Sequence, residues 1–158
     1  MWLAINASYR LQKVVLCSTA AKIGNADTWN ARIEQVRKGG TKSIAPATME
    51  RWFTLAFRQQ QPEVVATIRK MVESTDKVGY IACCEALREA DFRESLPSIQ
   101  RPTLVISGMH DPATTPEHGK FTADLISGAR YAELDAAHMS NIERQKEFTN
   151  VVLGFLRQ

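Results

Sequence analysis

Pro102-Thr-Leu-Val-Ile-Ser-Gly-Met-His-Asp111 is the stretch on which the fold turns. Its proline halts the helical pattern before it, and Thr103 to Ser107 form a short apolar, β-branched run suited to a strand buried on both faces. A turn-rich loop from Gly108 to Pro116 follows, then a helix over 117–126, a strand over 130–134 and a loop holding His138. The last helix sets Phe148, Val151, Val152, Phe155 and Leu156 at i, i+3, i+4, i+7 and i+8, one apolar stripe made to lie on a sheet. Strand, helix, strand, helix in this order predicts an α/β architecture with parallel strands and flanking helices.

Upstream, Lys13-Val-Val-Leu-Cys-Ser18 reads as another buried strand. Between it and Pro102 the rhythm is helical, from about residue 27 to 91. Apolar sets recur at i, i+3 or i+4: Trp29, Ile33, Val36; Met49, Trp52, Phe53; Val64, Val65, Ile68, Met71, Val72; and Ile81, Cys84, Leu87. Three to five helices are predicted, delimited by Gly39-Gly40, Pro46, Pro62 and Gly79. Residues 1–8 are helix formers without a capping residue before them, so the chain is expected to begin inside a helix, with a short loop at Tyr9 and Arg10.

The whole composition narrows the function. The 158 residues match one domain, and 44% apolar content suffices for a core. The net charge of +3 comes from scattered Lys and Arg with no basic run, so no nucleic-acid partner is expected. No apolar stretch approaches the roughly 20 residues of a membrane span, the first residues lack the basic-then-apolar layout of a signal peptide, and a cytoplasmic location is expected. Three cysteines, two of them the neighbours Cys83 and Cys84, suit neither a disulfide framework nor a metal site, and that pair is expected to pack in the core. His110 and His118 lack the spacing to a third ligand and are expected to be exposed; no metal or other cofactor is expected.

In an open parallel sheet, functional groups gather beyond the carboxyl ends of the strands. Asp111 follows the strand ending at Ser107 and His138 follows the strand ending at Leu134, so neighbouring strands would point both into one crevice. An imidazole held by a buried carboxylate is kept in one tautomer and stabilised when it becomes cationic, as a general base serving a hydroxyl nucleophile requires. Asp111 also precedes Pro112, a common turn start, and a lone loop histidine is usually a surface residue; the paired placement favours chemistry. Asp135, three residues before His138, is a rival carboxylate that reads as a turn residue.

The stretches Leu16-Cys-Ser-Thr-Ala-Ala-Lys-Ile-Gly24, Arg51-Trp-Phe53, Gly79-Tyr-Ile-Ala-Cys-Cys-Glu-Ala-Leu87, Pro102 to Asp111 and Glu133-Leu-Asp-Ala-Ala-His138 resemble the 3-oxoadipate enol-lactonases of the α/β-hydrolase family, over nearly the whole chain. The Asp and His stretches are shared by many hydrolases of that fold; the Thr-Ala-Ala-Lys-Ile-Gly and Gly-Tyr-x-Ala-Cys-Cys stretches are narrower. The resemblance implies the C-terminal part of an α/β-hydrolase with a helical lid: the end of the nucleophile helix and one core strand in 1–26, the lid in 27–98, and the core carrying Asp and His in 99–158. It implies hydrolysis of the enol-lactone of protocatechuate or catechol breakdown to 3-oxoadipate. Asp111 would orient His138, and His138 would deprotonate a serine and later activate water.

Trp52 and Phe53 would be lid residues over the small-molecule lactone, or an aromatic pair in the core. Trp29 is a weaker candidate. Arg51 would hold a product carboxylate, or lie on a solvated helix face. The family's Gly-x-Ser-x-Gly does not occur in the 158 residues. The serine is expected just upstream of Met1, and this chain alone is expected to be nearly inactive. The alternatives are a non-catalytic fragment, a partner half of a split hydrolase, or a hydrolase of another ester or of a carbon–carbon bond. If the chain begins at Met1, the strand at 13–18 would present an open edge, favouring self-association, pairing with an N-terminal half, or low stability.

Overall fold

A computed structural model describes residues 1–158. Its elements are α1 (Trp2–Asn6), β1 (Val14–Cys17), α2 (Ala26–Gly39), α3 (Ala45–Trp52), α4 (Leu55–Gln60), α5 (Pro62–Ser74), α6 (Lys77–Glu89), β2 (Thr103–Gly108), α7 (Pro116–Leu125), β3 (Arg130–Leu134), α8 (Ser140–Glu143) and α9 (Gln145–Leu156), with short 3-10 turns at Ser8–Arg10, Thr41–Ser43 and Leu96–Ser98. They form two compact units, Met1–Lys22 with Asp91–Gln158, and Ile23–Ala90.

The first unit is built on a three-stranded parallel sheet in the order β1-β2-β3. Every residue of β2 is buried, as a central strand between two helical layers demands. Because side chains alternate along a strand, Val105 faces a core with Val14, Leu16, Leu96, Ile99, Ala123 and Ile126. Leu104 and Ile106 face the opposite core with Leu134 and Phe155, against which Phe148, Val151 and Val152 of α9 pack. Of the predicted α9 stripe, Leu156 departs: it is exposed, at the last turn where the helix leaves the sheet. Lys13 finishes that helix, its Nζ donating to the carbonyls of Phe155 (3.0 Å) and Leu156 (2.8 Å), where a cation meets the negative end of the dipole. Gly119 lets α7 reach β2, since a Cβ there would lie 1.9 Å from Ser107 Oγ.

The second unit holds the five helices α2–α6. Asn25 and Thr28 form a reciprocal capping box at the start of α2, and Gly40 closes that helix with φ +64°. Pro46 and Pro62 sit in the first turns of α3 and α5, where no amide is missed. Asp76 caps α6 through the Gly79 amide at 2.7 Å.

Two expectations change. The resemblance implies a lid reaching 98, whereas the compact unit of helices ends at Ala90, beside the end of the helical rhythm at about 91. Phe92, Leu96 and Ile99 join the sheet core instead, and the Phe92 amide donates to the Ala21 carbonyl at 2.8 Å. Cys84 is buried, but Cys83 is exposed. Successive helical residues point about 100° apart, so α6 cannot turn both thiols to one side. No helix is long and apolar enough to cross a membrane.

Candidate active site

The parallel pairing does not stop where the strands end. Beyond β2 and β3 the Met109 amide donates to the Leu134 carbonyl at 2.9 Å and the His110 amide to the Ala136 carbonyl at 3.0 Å, so the two following loops run side by side. Gly108 permits this approach: a Cβ on it would lie 2.1 Å from the Ala137 carbonyl oxygen and 2.6 Å from that of Ala136. The chain then turns at Gly108–Asp111, with the Asp111 amide donating to the Gly108 carbonyl at 3.1 Å.

This turn delivers Asp111 to His138, with Nδ1 of the ring 2.7 Å from Oδ2 of the carboxylate. The Asp111 side chain is wholly buried, and that of His138 is 24% exposed. Oδ1 of Asp111 also accepts from the amides of Ala113 (2.8 Å) and Thr114 (3.1 Å), and Oδ2 accepts from the Thr114 hydroxyl at 2.6 Å. Asp111 is therefore both the turn starter and the partner of the histidine. Burial pushes its carboxyl pKa up, but the hydrogen bonds from His138 and Thr114 and the His138 charge outweigh this, and the net shift is downward. An ionised Asp111 can only accept, so Nδ1 of His138 donates and Nε2 becomes the basic nitrogen of the neutral ring.

Asp135 is not a second partner for His138. It accepts from His110 Nε2 at 2.8 Å and from Arg144 at 2.7 Å, on the exposed side of the same loop. His110 and His118 are exposed, and no group of three His, Cys, Asp or Glu side chains is placed to hold a metal ion. Sequence reasoning missed three residues beside the pair. Thr114 had a local signal, the Asp-x-x-Thr spacing of a side-chain-closed turn. Glu143, whose Oε2 accepts from the Ala137 amide at 3.0 Å, and Ser18, whose hydroxyl donates to the His138 carbonyl at 2.7 Å, carry no comparable signal.

The remaining candidates lie in the second unit. Phe53 is 1% exposed and stacks on Phe57 with centroids 5.3 Å apart, fixing the corner between α3 and α4. Trp52 is half-buried at the end of α3. Trp29 donates from Nε1 to the Ile23 carbonyl at 2.7 Å, a structural anchor for the start of α2. Arg51 is half-buried, and burial followed by the nearby Arg32 cation lowers its pKa. Arg32 in turn donates to the Tyr80 hydroxyl at 3.1 Å.

A parallel sheet with a buried carboxylate and a histidine on adjacent loops past its carboxyl ends defines a class, and residues 1–145 match the α/β-hydrolase fold family. The chain belongs to that family. Among its relatives, 3-oxoadipate enol-lactonase 2 of Acinetobacter baylyi is 40% identical over 99% of this chain and 59% of its own length, and 3-oxoadipate enol-lactonase 1 of the same organism is 36% identical over the same shares. The crystal structure of the enol-lactonase from Burkholderia xenovorans superposes with a TM-score of 0.97 at 46% identity, covering 99% of this chain and 60% of that one. The chain thus spans about three fifths of the length of the relatives it matches.

Proposed function

We propose that Asp111 and His138 are the acid and the general base of an enol-lactone hydrolase, with 3-oxoadipate enol-lactone as substrate and the cytoplasm as its place of action. The observation that carries this reading is the 2.7 Å contact from Nδ1 of His138 to a fully buried carboxylate. The 36–46% identity to enol-lactonases supports the choice of substrate. The hydroxyl nucleophile is assigned to residues outside these 158. Nε2 of His138 takes its proton as the oxygen attacks the lactone carbonyl, and Asp111 stabilises the imidazolium so formed. The proton then passes to the departing enol oxygen, opening the ring to an acyl-enzyme. Water deprotonated by the same nitrogen cleaves that ester, restoring the hydroxyl and releasing the second carboxylate, while the enol relaxes to the ketone.

The helices of Ile23–Ala90 are proposed as the lid, with Trp52 over the substrate and Phe53 as packing beneath it. Arg51 is proposed to hold the substrate carboxylate. Burial and then the nearby Arg32 cation lower the affinity of Arg51 for its proton, and a carboxylate held against Arg51 would offset both. The open edge of β1 is proposed to pair with further chain or with a second copy.

The test is to mix the chain with the N-terminal part of the Acinetobacter baylyi relative and follow loss of the enol-lactone, with a nitrophenyl ester in parallel. Lactone opening in the mixture alone, abolished by His138→Ala, supports the reading. Ester cleavage without lactone opening would move the substrate elsewhere in the family. Lactone opening by the chain alone would place the nucleophile within it and overturn the assignment made above.

A further inference from the structure

Ser18 is the only residue other than glycine with a left-handed backbone, at φ 44°. A side chain in that region costs conformational energy and persists where its surroundings use the geometry. Two hydrogen bonds show the use. The Ser18 amide donates to the Ile106 carbonyl at 2.9 Å, extending the β1–β2 ladder by one residue. The turn then brings Oγ to the carbonyl of His138 at 2.7 Å, across 120 positions of sequence. On the other side of the same residue, the Ala137 amide donates to Oε2 of Glu143, which is itself buried. The main chain is therefore fastened both before and after the His138 Cα. All three strands converge on that residue: β1 through Ser18, β2 through Asp111, and β3 through the loop that carries it.

We propose that Ser18 is a positioning residue for His138, its hydroxyl fixing the carbonyl so that the ring meets Asp111 on one nitrogen and the reacting hydroxyl on the other. This rests on the reading of His138 as the base in lactone opening. The sheet itself does not need the hydroxyl, because β1 is already laddered to β2 by backbone bonds. The left-handed turn is the cost of directing that hydroxyl across the crevice.

Two substitutions separate aim from stability. Glycine accepts φ 44° without strain, and that relief offsets the lost bond and the looser unfolded chain, so Ser18→Gly removes the hydroxyl with little loss of stability to urea. Threonine keeps the hydroxyl but is β-branched, so Ser18→Thr is less stable. Three quantities are read: urea stability, solvent exchange of the His138 Nδ1 proton by 15N-edited NMR of the chain, and kcat and KM in the mixture with the N-terminal part. Ser18→Gly should exchange that proton about tenfold faster and lose roughly ten- to a hundredfold in kcat, with KM within about twofold. Ser18→Thr should keep both exchange and kcat near the parent. The proposal is overturned if Ser18→Gly keeps the parent exchange rate and kcat, or if both variants simply follow their stabilities. If no preparation opens the lactone yet Ser18→Gly still frees the Nδ1 proton, the positioning role stands and the choice of substrate is what fails.

Discussion

Replacing Gly108 by alanine tests how the two site loops are held together. The backbone at Gly108 is not left-handed, so alanine is tolerated conformationally and even narrows the unfolded ensemble, which by itself stabilises by about 0.4–1 kcal/mol. The cost comes from space. The new Cβ would sit 2.1 Å from the Ala137 carbonyl oxygen, 2.6 Å from that of Ala136 and 2.9 Å from the Ala137 carbonyl carbon, all backbone atoms. Ordinary contacts lie near 3.5 Å, so the loop must retreat by roughly 1 Å or more. That retreat breaks the bond from the His110 amide to the Ala136 carbonyl and the bond from the Ala137 amide to Glu143. Two buried groups left without partners cost about 1–3 kcal/mol each, giving a net loss of roughly 1–6 kcal/mol against a typical 5–15. Urea unfolding measures this, and the NMR signal of the His138 Nδ1 proton should weaken with it. A variant as stable as the parent, with the Nδ1 signal in place, would refute the close-approach argument. Gly154→Ala, on α9 with nothing within 4 Å of the added carbon, is the control and should gain up to about 1 kcal/mol.

Phe155→Ala, at a site 5% exposed between α9 and the sheet, should cost about 3–5 kcal/mol in the same unfolding experiment. Asp111 has a depressed folded-state pKa, so its contribution to stability is complete above its unfolded pKa of about 4 and is lost as pH falls through the lower folded value. Urea midpoints from pH 6 to 2 should therefore drop more steeply for the parent than for Asp111→Asn. Burial pushes the Cys17 thiol up to about 11 and also raises that of Cys84, while Cys83 is exposed. A thiol reagent at pH 8 should modify Cys83 rapidly in the native chain, and the other two only after unfolding.

The strand over 103–107 was legible because a strand buried on both faces must be an unbroken apolar run, and α9 because its stripe repeats with the helical period; the edge strand over 130–134, with Arg130 and Glu133 exposed, carries no such run. The meeting of Asp111 with His138 was legible from their equal placement after adjacent strands. Ser18 and Glu143 were not, since their roles depend on backbone groups of a distant loop that no spacing announces. The helical rhythm ends at about 91, beside the change of unit after Ala90, but nothing in the spacing of Phe92, Leu96 and Ile99 announces that they pack in the sheet core. Cys83 and Cys84 form an apolar pair in sequence, and only the direction of α6 decides which one is covered.

The central claim is that Asp111 and His138 act as one device in lactone opening. A double-mutant cycle on kcat for enol-lactone hydrolysis, in the mixture with the N-terminal part, tests it most directly. Groups that act as a unit are strongly non-additive, so Asp111→Asn and His138→Ala should each cost roughly 10³-fold or more, and the double variant about as much as His138→Ala alone. Independent, multiplying losses, or a His138→Ala variant that retains the parent rate, would contradict the account.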